Sequence, residues 1–283
     1  MNYILIIIST ALFSMQFLFN SKFREECGSG WQASVDFSIL SAISGFILLM
    51  VINGFSLKFT PFSLMAATVY AVAGILFNFF GIKALNTANL SLYSIFTMLG
   101  GMSLPFVYGI GFMNEELSVA KIICFLLIAA SLFFTVEKGK SKKGAIKYYI
   151  GIFVMNGLFG VISAFHQSYP DINVDSESFL AISRIVTIVI CVAIKLIQRE
   201  KLCKINGKVV LYSGGGAAVN TIGNLFLLIA LTNNLPASVQ YPIVTGGTIV
   251  FSTLISIVRK EHPSKREIIA AVIAFFAATA MAF

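Results

Sequence analysis

The chain has 283 residues, 58% hydrophobic and only 11% charged, with a mean hydropathy of +0.90. A soluble domain carries about 25% charged residues, so this composition excludes a soluble enzyme, a nucleic-acid-binding domain and a disordered chain. The formal charge of +8 then points to basic loops that orient a membrane protein, not to a nucleic-acid partner.

A helix needs roughly 20 mostly apolar residues to cross a bilayer. Apolar stretches bounded by charge, Pro or Gly/Asn clusters occur at 2–20, 35–52, 63–83, 88–112, 119–136, 148–166, 178–197, 209–231, 236–258 and 265–283. They predict an all-α membrane protein of ten transmembrane helices with short loops and no separate soluble domain. The first stretch has no basic leader and no small-x-small cleavage site before Lys22, so it reads as a retained helix. Cys27, Cys124, Cys191 and Cys203 show no paired spacing, which suggests neither a disulfide framework nor a metal site. Ser213-Gly214-Gly215-Gly216 lacks the Gly-Lys-Ser/Thr of a phosphate loop. No catalytic dyad and no cofactor site is expected, so the chain reads as a non-enzyme.

Lys and Arg in short loops set orientation. The odd-numbered loops hold Lys22 and Arg24, Lys83, and the clusters Lys138–Lys147, Lys195–Lys208 and Arg259–Arg266, which is 17 of the 20 basic residues. Only Lys58, Lys121 and Arg184 fall elsewhere. The odd loops are therefore expected in the cytoplasm and both termini outside, in a bacterial inner (plasma) membrane. The acidic loop with Asp171, Asp175 and Glu177 then faces outward.

The chain also repeats itself. At an offset of 146, Leu12-Phe13 falls on Leu158-Phe159, Asn78 on Asn224, Ala84-Leu85 on Ala230-Leu231 and Gly100-Gly101 on Gly246-Gly247. Glu115 falls on Glu261 and Ile122-Ile123 on Ile268-Ile269. The expected organisation is a first five-helix repeat at 1–137, a basic cytoplasmic linker at 138–146 and a second repeat at 147–283. Five is odd, so the second repeat enters from the opposite side. Inverted repeats of this kind build many secondary carriers, with the substrate site near midplane between the halves.

The run Leu235-Pro236-Ala237-Ser238-Val239-Gln240-Tyr241-Pro242, followed by Thr245-Gly246-Gly247 and Glu261, resembles the last two helices of the small multidrug resistance proteins. With the two-times-five layout and Arg184 near the start of the second helix of its half, the chain resembles the ten-helix, EamA-like drug/metabolite transporter superfamily. That resemblance implies secondary transport of a small organic metabolite or drug by alternating access. The alternatives are a lipid-linked flippase, as some members are, or a non-transporting scaffold. Tyr241 matches the tyrosine that contacts substrate in the small proteins. Their proton-coupling glutamate has no counterpart: neither the first predicted helix nor the sixth contains a carboxylate. Ten-helix relatives often keep both termini inside, whereas the charge count here places them outside.

Polar groups at membrane depth cost free energy unless they serve a purpose. The candidate substrate-binding residues are Asn78, Tyr93, Thr97, Asn224, Gln240, Tyr241, Thr245 and Arg184. The two asparagines could equally clamp helices together, and Tyr241 could simply pack. Arg184, about 8–10 Å deep at 1.5 Å per residue, reads either as snorkelling to outer headgroups or as attracting a substrate carboxylate. Asp36 and His166 read as interfacial residues, Glu115 and Glu261 as structural ones, and the Gly pairs as sites of close helix packing. The expected partners are a small-molecule substrate and the lipid bilayer. A chain that already holds both halves can act as a monomer.

Overall fold

A computed structural model describes residues 2–28, 30–87, 90–134, 146–258 and 264–281. Glu261 and most of the 138–146 linker lie outside the described residues. The described chain is all helix and loop: α1 Asn2–Cys27, α2 Trp31–Ile52, α3 Pro61–Thr87, α4 Leu90–Phe112, α5 Val119–Phe134, α6 Ile146–Gln167, α7 Ser176–Gln198, α8 Gly207–Thr232, α9 Ala237–Val258 and α10 Lys265–Met281. Eight of these are long and apolar enough to cross a membrane, and α5 is apolar but only 16 residues long. Their outward faces carry large apolar side chains such as Ile4, Ile47, Leu126 and Phe276, which suits contact with lipid. The protein is a multi-pass integral membrane protein.

The largest departure from the expected bounds is in the first helix. α1 runs on to Cys27, so Glu25 and Glu26 sit on the helix rather than in a loop. The extension is polar: Lys22 and Glu25 pair at 2.9 Å, and Glu26 meets Lys208 of α8 at 3.2 Å. These charges end the apolar run but favour helix, so the backbone continues past it.

Helix pairing follows a pattern. α1 packs on α8 and α9, and α6 on α3 and α4; α2 packs on α7 and α8, and α7 on α2 and α3; α4 meets α9 and α5 meets α10. Exchanging each helix for the one five places away maps these pairings onto one another. Glycine sets the closest approach, between α4 and α6. A Cβ on Gly157 would stand 2.6 Å from the Gly100 carbonyl oxygen, and one on Gly100 would run into the Phe153 backbone. Gly100 thus packs helices, as expected. A Cβ on Gly247 would likewise press Thr10 of α1 at 2.9 Å.

The two ends of the bundle differ in charge. At the basic end, the start of α2 meets the end of α7 through Gln32 and Gln198 (2.8 Å), and Lys208 at the start of α8 meets the end of α1. At the acidic end, the start of α1 meets the end of α8 through Asn2 and Asn233. There, too, the end of α2 meets the start of α7 through Asn53, Lys58 and Asp175.

Candidate functional site

Halfway along the bundle lies a connected set of polar side chains. α8 supplies Asn220, Thr221 and Asn224, one helical turn on a single face. From α7, the guanidinium of Arg184 donates through Nη2 to Asn220 Oδ1 at 2.7 Å and to Thr221 Oγ1 at 3.4 Å. Asn220 Nδ2 donates to Gln16 Oε1 of α1 at 3.0 Å. Tyr70 of α3 donates its hydroxyl to Asn224 Oδ1 at 3.3 Å, and Asn224 Nδ2 donates to the Asn220 carbonyl at 2.8 Å. Asn220 and Gln16 each sit near the middle of their 26-residue helices, at the depth where polar groups are most costly in a bilayer. Each such interhelical bond is worth only about 0.6–2 kcal/mol, so holding α1, α3, α7 and α8 together does not by itself account for an ionised group here.

Above this cluster, toward the acidic end, is an apolar layer. Tyr70 and Tyr241 belong to one packed group with Ala164, Phe179, Leu180 and Leu228. Above that, a vestibule of about 770 Å³ opens between the ends of α4, α6 and α8 and the starts of α7 and α9. Tyr108, Gln167, Asp175, Glu177 and Thr232 line it, and Glu115 stands at its rim. Glu115 caps the buried start of α9: its carboxylate accepts the backbone N–H of Ala237 at 2.7 Å and of Ser238 at 2.8 Å. Its expected structural role holds, with the cap as the reason.

Toward the basic end, the described residues include a buried ion pair. Asp36 of α2 and Lys195 of α7 form an ion pair at 2.7 Å, with side chains 4% and 7% exposed. The backbone N–H of Cys203 donates to the second oxygen of Asp36 at 3.0 Å, and Lys195 donates to the Lys201 carbonyl at 3.2 Å. The α7–α8 loop is thereby tied down over the pair.

Of the residues singled out from sequence, Arg184 and Asn224 meet in the cluster. Arg184 turns inward to α8 instead of snorkelling, because Asn220 and Thr221 offer acceptors on the facing turn. The remainder lie apart. Asn78 donates to Ser38 of α2 at 3.1 Å. Tyr93 and Thr97 belong with α6 and α3: Thr97 accepts at its carbonyl from Asn156 at 2.7 Å, and Tyr93 packs by Phe77. Gln240 is fully buried and donates to the Leu227 carbonyl at 3.1 Å. Tyr241 donates to the Gly160 carbonyl at 3.3 Å, and Thr245 is buried on α9.

Two residues expected at the membrane interface do lie near helix ends, but both are buried in protein. Asp36 is 3% exposed because Lys195 neutralises it. His166 is 0% exposed, bonded to Ser63 Oγ at 2.9 Å and stacked against Phe62 and Phe179. Sequence reading did not single out Gln16, Tyr70, Asn220 or Thr221 for the site. The i, i+4 spacing of Asn220 and Asn224 was the available signal.

No family profile matches the chain, and no curated protein matches it. Among solved structures, 29 chains match. One of these, the crystal structure of a protein, is similar over 99% of this chain and 95% of its own length, at 16% identity and a TM-score of 0.78. At that identity the likeness concerns the fold.

Proposed function

We propose that the chain is a secondary transporter that moves a small organic solute by alternating access. In this reading it has ten spans arranged as two inverted five-helix repeats, as in the drug/metabolite transporter superfamily it resembles, with the basic end in the cytoplasm of a bacterial cell. The observation that carries the reading is an ionised polar cluster at mid-depth, beneath a vestibule open at one end and with a buried ion pair toward the other. A carrier caught facing one side has this arrangement.

Further features support the repeat. The main pairings between halves survive their exchange, although within halves α9 packs closely on α10 and α4 barely on α5. α1 begins at the acidic end whereas α6 ends there, at the vestibule. At the offset of 146, the bonded pair Ser38 and Asn78 falls on Arg184 and Asn224 of the cluster. A polar locus in the first half thus corresponds to the site in the second.

The test is flux. Purified protein in liposomes is offered labelled anionic, cationic, zwitterionic and neutral organic solutes, with fluorescent lipid scrambling measured in parallel. The expected result is saturable, protein-dependent uptake of at least one solute class and no scrambling. Scrambling without solute uptake would favour the flippase, and neither activity would leave a scaffold.

A further inference from the structure

Charges inside this bundle fall into two kinds. Asp36 and Lys195 neutralise one another. Arg184 has only neutral partners, the Asn220 amide oxygen and the Thr221 hydroxyl, and its Nε is buried with no partner at all. Among the described residues no carboxylate comes within 4 Å of it. A guanidinium does not shed its proton in proteins, so the folded chain holds an uncompensated positive charge at mid-depth. Burying one charge without its partner is costly. Space is nevertheless kept for it: a Cβ on Gly45 would stand 3.3 Å from Nε and 2.8 Å from Thr221 Oγ1.

Resting on the transport reading above, we propose that Arg184 anchors a small organic monocarboxylate, which supplies the missing negative charge. A carboxylate fits the planar edge of Nε and Nη2 with two parallel hydrogen bonds, taking the place of Asn220 and Thr221 on Nη2. One fixed positive charge matches one negative charge. A phosphomonoester, at about −1.5 to −2, would overshoot it. A cationic solute would add to the uncompensated charge. The ammonium of a zwitterion would find amide and hydroxyl oxygens in the cluster but no carboxylate. Gln16, Tyr70, Asn220 and Asn224 are left to recognise the neutral remainder of the solute.

The experiment is thermal unfolding of detergent-purified wild type, R184Q and R184K. The probes are butyrate, benzoate and 3-phenylpropionate, their primary amides, phenylalanine as the zwitterion and inorganic phosphate. The expected result is a rise in Tm with a carboxylate, none with its amide, and a roughly 30-fold or greater loss of apparent affinity in R184Q. R184K, which keeps the charge and loses the fork, should fall between the two. Without ligand, R184Q should melt at or above wild type, because it removes an unneutralised charge; a purely structural arginine would lower Tm by several degrees instead. If R184Q does not fold, the acid–amide comparison on wild type and the R184K affinity still decide. Amides, phenylalanine or phosphate acting as well as the acids, or no carboxylate acting, overturns the assignment. Transport itself stands or falls separately, on the flux panel.

Discussion

The two ends of this bundle are built differently. At the basic end, among the described residues, a desolvated ion pair, Asp36 with Lys195, joins α2 to α7 and is bonded to the loop that follows. The Cys203 thiol in that loop is pushed up to about 12, first by burial and then by Cys27 and Asp36, so it stays protonated at neutral pH. The acidic end is open, and its ionic contacts are half-exposed: Lys58 and Asp175 pair at 3.1 Å with side chains 68% and 25% exposed. A dry ion pair has a high cost when broken and a low one when both members are replaced together. Wet contacts are worth little each. A device that must stay shut until triggered suits the first kind, and a rim that stays open suits the second.

The largest effect should come from breaking the dry pair on one side only. Lys195→Met leaves Asp36 buried and unpaired, and should cost about 3–5 kcal/mol. Adding Asp36→Leu to it should recover most of that loss. Thermal unfolding of the single and double variants in detergent measures both. If the single variant melts within a degree of wild type, the pair is not desolvated and the contrast between the ends disappears.

How much of this could be read from the sequence follows from the same physics. Eight of the helices were legible as candidate spans because a bilayer demands length and apolarity whatever the packing. The end of α1 was not, because Lys22, Glu25 and Glu26 stop the apolar run without stopping the helix. Arg184 was visible as a lone charge in an apolar segment, but its direction was not. These helices are apolar almost all round, so no periodicity says which face looks inward. The same absence hid Tyr70 and Asn220. Asn78 and Asn224, matched by the repeat, were expected to form one site. A match at a fixed offset along the chain does not bring two residues together, and here Asn78 bonds α2 while Asn224 joins the cluster. The burial of Asp36 and His166 was not legible, because nothing in the sequence shows that Lys195 and Ser63 come to meet them.

A smaller effect should follow at the acidic end from Glu115. Its two oxygens satisfy two orphan donors at the start of α9, and losing such a cap costs about 1–2 kcal/mol. Glu115→Ala should show that loss. Glu115→Gln keeps one acceptor and should lose roughly half of it. Equal melting of the two variants would mean that the charge, not the pair of acceptors, makes the cap. Loss of the cap should also loosen the vestibule wall, because Pro236 and Leu235 lead directly into α9.

The smallest effect expected is that of Asp175, the N-cap of α7, and it shows why wet contacts make a poor lock. Burial alone would raise its pKa. The Ser178 hydroxyl and N–H together with Lys58 outweigh that, and hold it below the ordinary carboxylate value of 3.8. A depressed native pKa means that its contribution to stability is complete above pH 3.8 and is lost as pH falls below that value toward the native one. Asp175→Asn should therefore flatten the pH dependence of Tm only in that acid window, and leave the pH 5–8 range parallel to wild type. A difference that instead grew between pH 5 and 8 would place another titrating group on this end, and the acidic rim would then respond to physiological pH.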